Sequence, residues 1–186
     1  NGSNDYRAPK PKNPISYLLS PSKVASPRNL DTERFMTELE GSGWLNLNNR
    51  SGILNLAGKN LGFLGLGDPH ENLDDLASLK DQRKKLGQVD YLFGVAHAPY
   101  RRVIDAFLDL GASMMFAGHT HGGQLCLPGK RAIVTNCDLE REYASGLSAW
   151  GDENPMLLHV SQGMGHSIYA PLRLFCPPAA TLIEFV

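Results

Sequence analysis

The sequence predicts an α/β layered fold, and three observations predict it. Residues 90–96 (DYLFGVA) and 113–117 (SMMFA) are short apolar runs of strand length, each followed by a histidine within two positions. Between them Val103, Ile104, Phe107 and Leu108 recur at helical spacing, with Pro99 placed to open the helix and Gly111 to close it. A strand, a helix and a second apolar strand make a βαβ unit, which calls for parallel pairing and a right-handed crossover.

The other elements follow in chain order. Residues 6–29 hold prolines at 9, 11, 14, 21 and 27, which forbid a regular helix and disfavour a central strand, so a proline-rich surface arm is expected. Ile15, Tyr17, Leu18 and Leu19 would anchor that arm to the body. Asp31 is placed as the N-cap of a short helix whose Phe35, Met36 and Leu39 share one face before Gly41 and Gly43 end it. Residues 53–56 and 61–66 read as strands of a hairpin about Gly58-Lys59-Asn60. Leu73, Leu76, Leu79, Arg83 and Leu86 recur as one helix face, with Gly87 at the position after its end. Runs at 132–134, 157–161 and 181–186 supply further strands. The pattern is that of one domain over residues 1–186, without internal repeats.

Composition narrows the function. Eighteen Lys and Arg against nineteen Asp and Glu leave a formal net charge of -1, so no field steers the chain to nucleic acid, and no nucleic-acid-binding module is expected. The three cysteines, Cys126, Cys137 and Cys176, are odd in number and lack CxxC spacing, which argues against a disulfide framework and a thiolate zinc site. No apolar run approaches the ~18 residues of a membrane-spanning helix. A cytoplasmic chain, or one peripheral to a membrane, is expected.

Chemistry is expected where parallel strands end, because open α/β sheets gather ligands at their carboxyl edge. His97 and His119 both fall just past such ends. His119 and His121 are two apart, so an extended segment would send both rings to one side, toward a metal or a metal pair. Gly118, Gly122 and Gly123 give the surrounding backbone freedom to turn. The alternative is that His97 is a core histidine and the other two are ordinary loop residues. His70, in the GDPH segment, is a candidate for the same edge, although Asp68 as a cap and Pro69 as a turn residue explain that segment equally well. Arg101 and Arg102 lie near enough to meet a phosphate, but paired arginines on a helix are usually solvated. Trp44 and Trp150 are expected in the core or at its rim.

The GHTHGGQ segment at 118–124 resembles the GHxH signature of calcineurin-like metallophosphoesterases, in the form found in one bacterial subgroup. VAHAP at 95–99 resembles the single-histidine motif of that family, and GDPH at 67–70 a loop that precedes it. SQGMG at 161–165 and CPPAATLIEF at 176–185 are similar to the closing strands of the subgroup. The resemblance implies a layered sandwich of mixed β-sheets flanked by helices, and a hydrolase of phosphate monoesters or diesters. It implies two divalent metal ions, Mn, Fe or Zn, with His97 and His119 on one and His121 on the other. The GNHD motif of the family would fall on Gly2-Ser3-Asn4-Asp5, with Ser3 at the position of the amide ligand and Asn4, with Asp5 beside it, at that of the catalytic histidine. A shift of one residue would make Asn4 the amide ligand instead. Asn4 donates a hydrogen bond but cannot serve as a general acid. His70 would contact substrate.

The DxH and GDxxD motifs that the family places before GNHD have no counterpart ahead of Gly2, so the resemblance implies the C-terminal portion of a single domain, with an N-terminal segment needed to complete the site. On that reading the chain alone is inactive, and the competing expectation is a non-catalytic metal-binding or structural remnant. Residues 7–29 and 138–155 are read as specificity loops without a recognisable ligand code.

Overall fold

The βαβ unit forms the centre of a six-stranded sheet in the computed structural model, which describes residues 1–8, 29–167 and 172–184. The proline-rich stretch from Pro9 to Arg28, with its expected anchor residues, lies outside the described residues. So do Phe185 and Val186.

The sheet is built from β1 (Ser51–Leu56), β2 (Lys59–Gly65), β3 (Tyr91–Val95), β4 (Met114–Ala117), β7 (Gly146–Trp150) and β8 (Met156–Val160). A two-stranded ribbon of β5 (Cys126–Leu127) and β6 (Arg131–Ala132) stands apart. The order across the large sheet is β1-β2-β3-β4-β8-β7. β2, β3, β4 and β8 run parallel, and β1 and β7 close the edges antiparallel. Register pairs Gly65 with Val95, Val95 with Phe116, and Ala117 with Val160. Four carboxyl ends therefore finish nearly level, and the four loops that leave them meet along one edge.

Alternation along the strands sorts the two faces. Leu64, Leu92, Met115 and Leu158 are buried with Leu79 and Leu86 of α3 (Leu79–Leu86) and with Val103, Ile104 and Phe107 of α4 (Arg101–Asp109). Phe107 seats over Gly94, where an added Cβ would meet its ring at 2.6 Å, so only glycine lets the helix sit this close to β3. On the opposite face Leu61, Phe93 and Met114 form a smaller cluster with Phe63, Phe116 and Ile183. α2 (Thr32–Gly41) is capped by Asp31, whose side chain accepts from the Arg34 amide. It overlooks that face across a cavity of about 550 Å³.

Several expectations are corrected. The helix expected from Leu73 begins at Leu79, because Asp75 caps a 3-10 turn at Leu76–Ser78 and Leu73 stays exposed. Residues 181–184 form no strand. The supposed loop 138–155 contains β7, an edge strand whose Leu147 faces solvent, so no buried apolar pattern marks it. Trp44, expected at the core or rim, is 68% exposed beside the cavity. Among the described residues no helix is long and apolar enough to cross a membrane.

Candidate active site at the carboxyl edge

β3 ends one residue before Ala96-His97, and β4 ends one residue before Gly118-His119, so adjacent parallel strands deliver the two imidazoles side by side. His119 Nδ1 faces His97 Nε2 at 3.2 Å, with the rings nearly perpendicular. The other nitrogen of His119 lies 3.2 Å from the Asn136 carbonyl oxygen. A carbonyl only accepts, so Nε2 carries the hydrogen and Nδ1 presents a lone pair.

The GHTHGGQ segment is a turn, not the extended stretch on which the expectation of same-sided rings depended. His119, His121, Gly122, Gly123 and Gln124 all have φ between 51° and 85°. Left-handed backbone at three non-glycine residues within six positions costs about 1–3 kcal/mol each, and such strain clusters at functional sites. Thr120 holds the turn by accepting from the Gly122 amide and donating to the Ala144 carbonyl. His121 opens the 3-10 turn His121–Gly123. Its ring makes no hydrogen bond or ring stack with His97 or His119 among the described residues, although its charge bears on His119 and the charge of His97 bears on it. Arg173 donates through Nη1 to the His121 and Cys176 carbonyls and, through Nε and Nη2, to the carbonyls of Gly165, Gln162 and Gly163. One guanidinium thus ties the closing segment to the loops after β4 and β8.

The GDPH loop follows β2 into the same edge. His70 packs against His119 with ring centroids 4.5 Å apart and the planes tilted by 42°, and its Nδ1 lies 2.9 Å from the Tyr100 hydroxyl. Asp68 is fully buried and accepts from the His70 amide and the Ser3 hydroxyl, the latter at 2.7 Å. Ser3 belongs to α1 (Ser3–Tyr6), a single helical turn. Gly2 lies flat on His97, where a Cβ would meet the ring at 2.4 Å. Asp5 accepts from the Gly2 amide and lines the cavity beside His97. Asn4 is exposed, and its side chain has no hydrogen-bond partner among the described residues. The GSND turn thus brings Ser3 and Asp5 toward the histidines and leaves Asn4 outward.

Burial favours the neutral form of His97, His119 and His121. It pushes His119 down to about 3, helped by the neighbouring His97 and His70 rings. It lowers His97 as well, with Asp68 opposing, and lowers His121 with help from the Arg173 charge. Neutral imidazole is the form that binds metal.

Asp68, Tyr100, Asn136 and Arg173 were not singled out as site residues from sequence. Asp68 had a signal, since it sits in GDPH, but capping explained it. Arg102, considered as a phosphate contact, is committed elsewhere: its Nε and Nη2 each donate to Asp74 at 2.9 Å, and Nη2 also reaches the Pro69 carbonyl. Arg101 stacks on Trp150 and pairs with Glu140.

No family model matches the chain. It is similar to Phosphodiesterase YaeI from Escherichia coli (strain K12), with 34% identity over 92 residues, which is 50% of this chain and 31% of that protein. The match thus spans about a third of the relative's length. A solved structure of a hypothetical protein from Thermus thermophilus aligns with a TM-score of 0.37 and 19% identity over 59% of this chain and 37% of the other, too low to carry an argument. The similarity to YaeI is consistent with the metallophosphoesterase superfamily.

Proposed function

We propose that the chain carries the histidine side of a metal-dependent phosphate-ester hydrolase of the calcineurin-like class. The observation that supports it most is the facing pair. His97 Nε2 and His119 Nδ1 stand 3.2 Å apart, and two ligands each about 2.1 Å from one ion stand about 3.0–3.4 Å apart at octahedral or tetrahedral angles. The Asn136 carbonyl is the kind of outer partner that fixes the tautomer of a ligating histidine. On this reading His97 and His119 hold one divalent ion and His121 contributes to a second, with Mn, Fe or Zn each compatible with the donor set.

When bound, such an ion pair supplies a hydroxide at neutral pH and withdraws charge from phosphoryl oxygens. The chain's own residues do the positioning. Asp68 ties the GSND turn and the GDPH loop together through Ser3 and the His70 amide. Ser3 offers a hydroxyl where the family places an amide ligand, and Asp5 adds a carboxylate beside His97. Asn4 cannot replace a general-acid histidine.

A second reading, a metal-binding or structural remnant without turnover, is favoured by one observation. Among the described residues no group of three or more His, Cys, Asp and Glu is arranged to hold an ion. On the proposed reading, turnover draws on carboxylates from a DxH and GDxxD segment of the kind the family places ahead of these motifs. Hydrolysis of bis-p-nitrophenyl phosphate separates the readings. The full coding region should show chelator-sensitive turnover that His97→Ala abolishes, and the 186-residue chain should show almost none. A full-length protein that binds metal and leaves the substrate intact favours the remnant.

A further inference from the structure

Tyr100 and His70 form a pair that the histidine centre does not need for its own geometry. The Tyr100 hydroxyl lies 2.9 Å from His70 Nδ1, and the other nitrogen of His70 has no protein partner among the described residues. The ring of His70 packs against His119, which puts the His70 ring at the same edge as the facing imidazoles.

The contact is braced from three directions. Arg102 places its guanidinium carbon 4.7 Å over the Tyr100 ring while donating to the carbonyl of Pro69, the residue before His70. The Asp74 carboxylate, whose side chain is 5% exposed, holds that guanidinium through two bonds of 2.9 Å. The Asp68 carboxylate fixes the His70 amide. A loop that only needed to turn would not require this bracing, because Asp68 and Pro69 already make the turn.

Direction within the pair follows from acidity. Phenol is a far stronger hydrogen-bond acid than a neutral imidazole N–H, and an unprotonated imidazole nitrogen is a far better acceptor than a phenol oxygen. Burial, with the nearby Cys137 adding to it, pushes the Tyr100 hydroxyl up to about 12, so it keeps its proton. The proton therefore lies between the tyrosine oxygen and Nδ1, and the single N–H of His70 is left on Nε2.

We propose that Tyr100 is a positioning residue that donates to His70 Nδ1, fixing the tautomer in which His70 Nε2–H serves as a donor to a phosphoryl oxygen bound at the His97–His119 edge. The substrate contact rests on the phosphoesterase reading; the tautomer does not. The device distinguishes a tetrahedral oxyanion, which accepts, from a ligand that only donates. It also explains why a histidine, rather than a lysine, suits this place: a planar ring held by the Tyr100 contact offers a donor of fixed direction.

The test uses nitrogen-15 labelled chain and long-range proton–nitrogen NMR spectra of the histidine rings at neutral pH. His70 should show the Nε2–H tautomer, and Tyr100→Phe, which keeps the ring under Arg102, should let the Nδ1–H tautomer appear. The signal of His159, within β8, is the control for folding. With zinc present, inorganic phosphate should shift the His70 ring signals saturably, and Tyr100→Phe should weaken that binding several-fold. In the full coding region the same variant should raise KM for bis-p-nitrophenyl phosphate several-fold with little change in kcat. A wild-type His70 with its hydrogen on Nδ1, or a tautomer unchanged in Tyr100→Phe, overturns the inference whatever the activity. The expected tautomer in a protein that neither binds phosphate nor hydrolyses the ester overturns the donor role and the phosphoesterase reading with it.

Discussion

Replacing His119 with glutamine should flatten the acid limb of the stability curve. The His119 imidazole falls from an ordinary 6.5 to about 3 in the folded chain, chiefly through burial. Below pH 6.5 the unfolded chain takes up a proton that the folded chain refuses, so folding loses stability as pH drops from about 6.5 toward 3. Between pH 7 and pH 4 the loss integrates to roughly 3 kcal/mol at about 1.4 kcal/mol per unit, and solvent reaching the ring trims it to about 2–3 kcal/mol. The assay is urea unfolding at pH 7, 5.5 and 4 with a chelator present, for wild type and His119→Gln. Carboxylates titrate in both proteins, so the difference between the two curves isolates the imidazole. The wild type should lose about 2–3 kcal/mol more than the variant across that range. Equal losses would show that the ring is solvated and that the packed edge described here is wrong.

Other outcomes follow from the packing. Phe107→Ala empties a fully buried site over Gly94 and should cost about 3–5 kcal/mol, read as a fall in the urea midpoint at constant slope. Arg102→Ala leaves the buried Asp74 carboxylate and the Pro69 carbonyl without their shared donor and should cost about 2–4 kcal/mol, with a matching fall in Tm; a change under about 0.5 kcal/mol would mean that the clamp is not formed in solution.

The sheet was legible because burial on both faces leaves apolar runs. DYLFGVA and SMMFA show it, and they became β3 and β4 with the helix between them. β7 was not legible, since an edge strand with Leu147 in solvent carries no such run. Asp75 displaced the start of α3 through a local cap that helical spacing does not record. In the site, the strand-end rule placed His97 and His119 on one edge, and the register delivered them together. The turn at residues 119–124 was suggested by its glycines, but positive φ at His119 and His121 themselves is not a property that their residue types announce. Tyr100 and Asn136 were hidden for a different reason. Each acts on a residue at least 17 positions away in sequence, as Asn136 does on His119, and no local pattern encodes a contact of that span.

The central claim is that His97 and His119 share an ion, and an anomalous-scattering map from a zinc-soaked crystal of the chain tests it most directly. The account predicts one strong peak between His97 Nε2 and His119 Nδ1, about 2.0–2.1 Å from each, lost in His119→Ala. A soaked crystal in which the two nitrogens remain hydrogen-bonded to each other, with zinc elsewhere or nowhere, would contradict it.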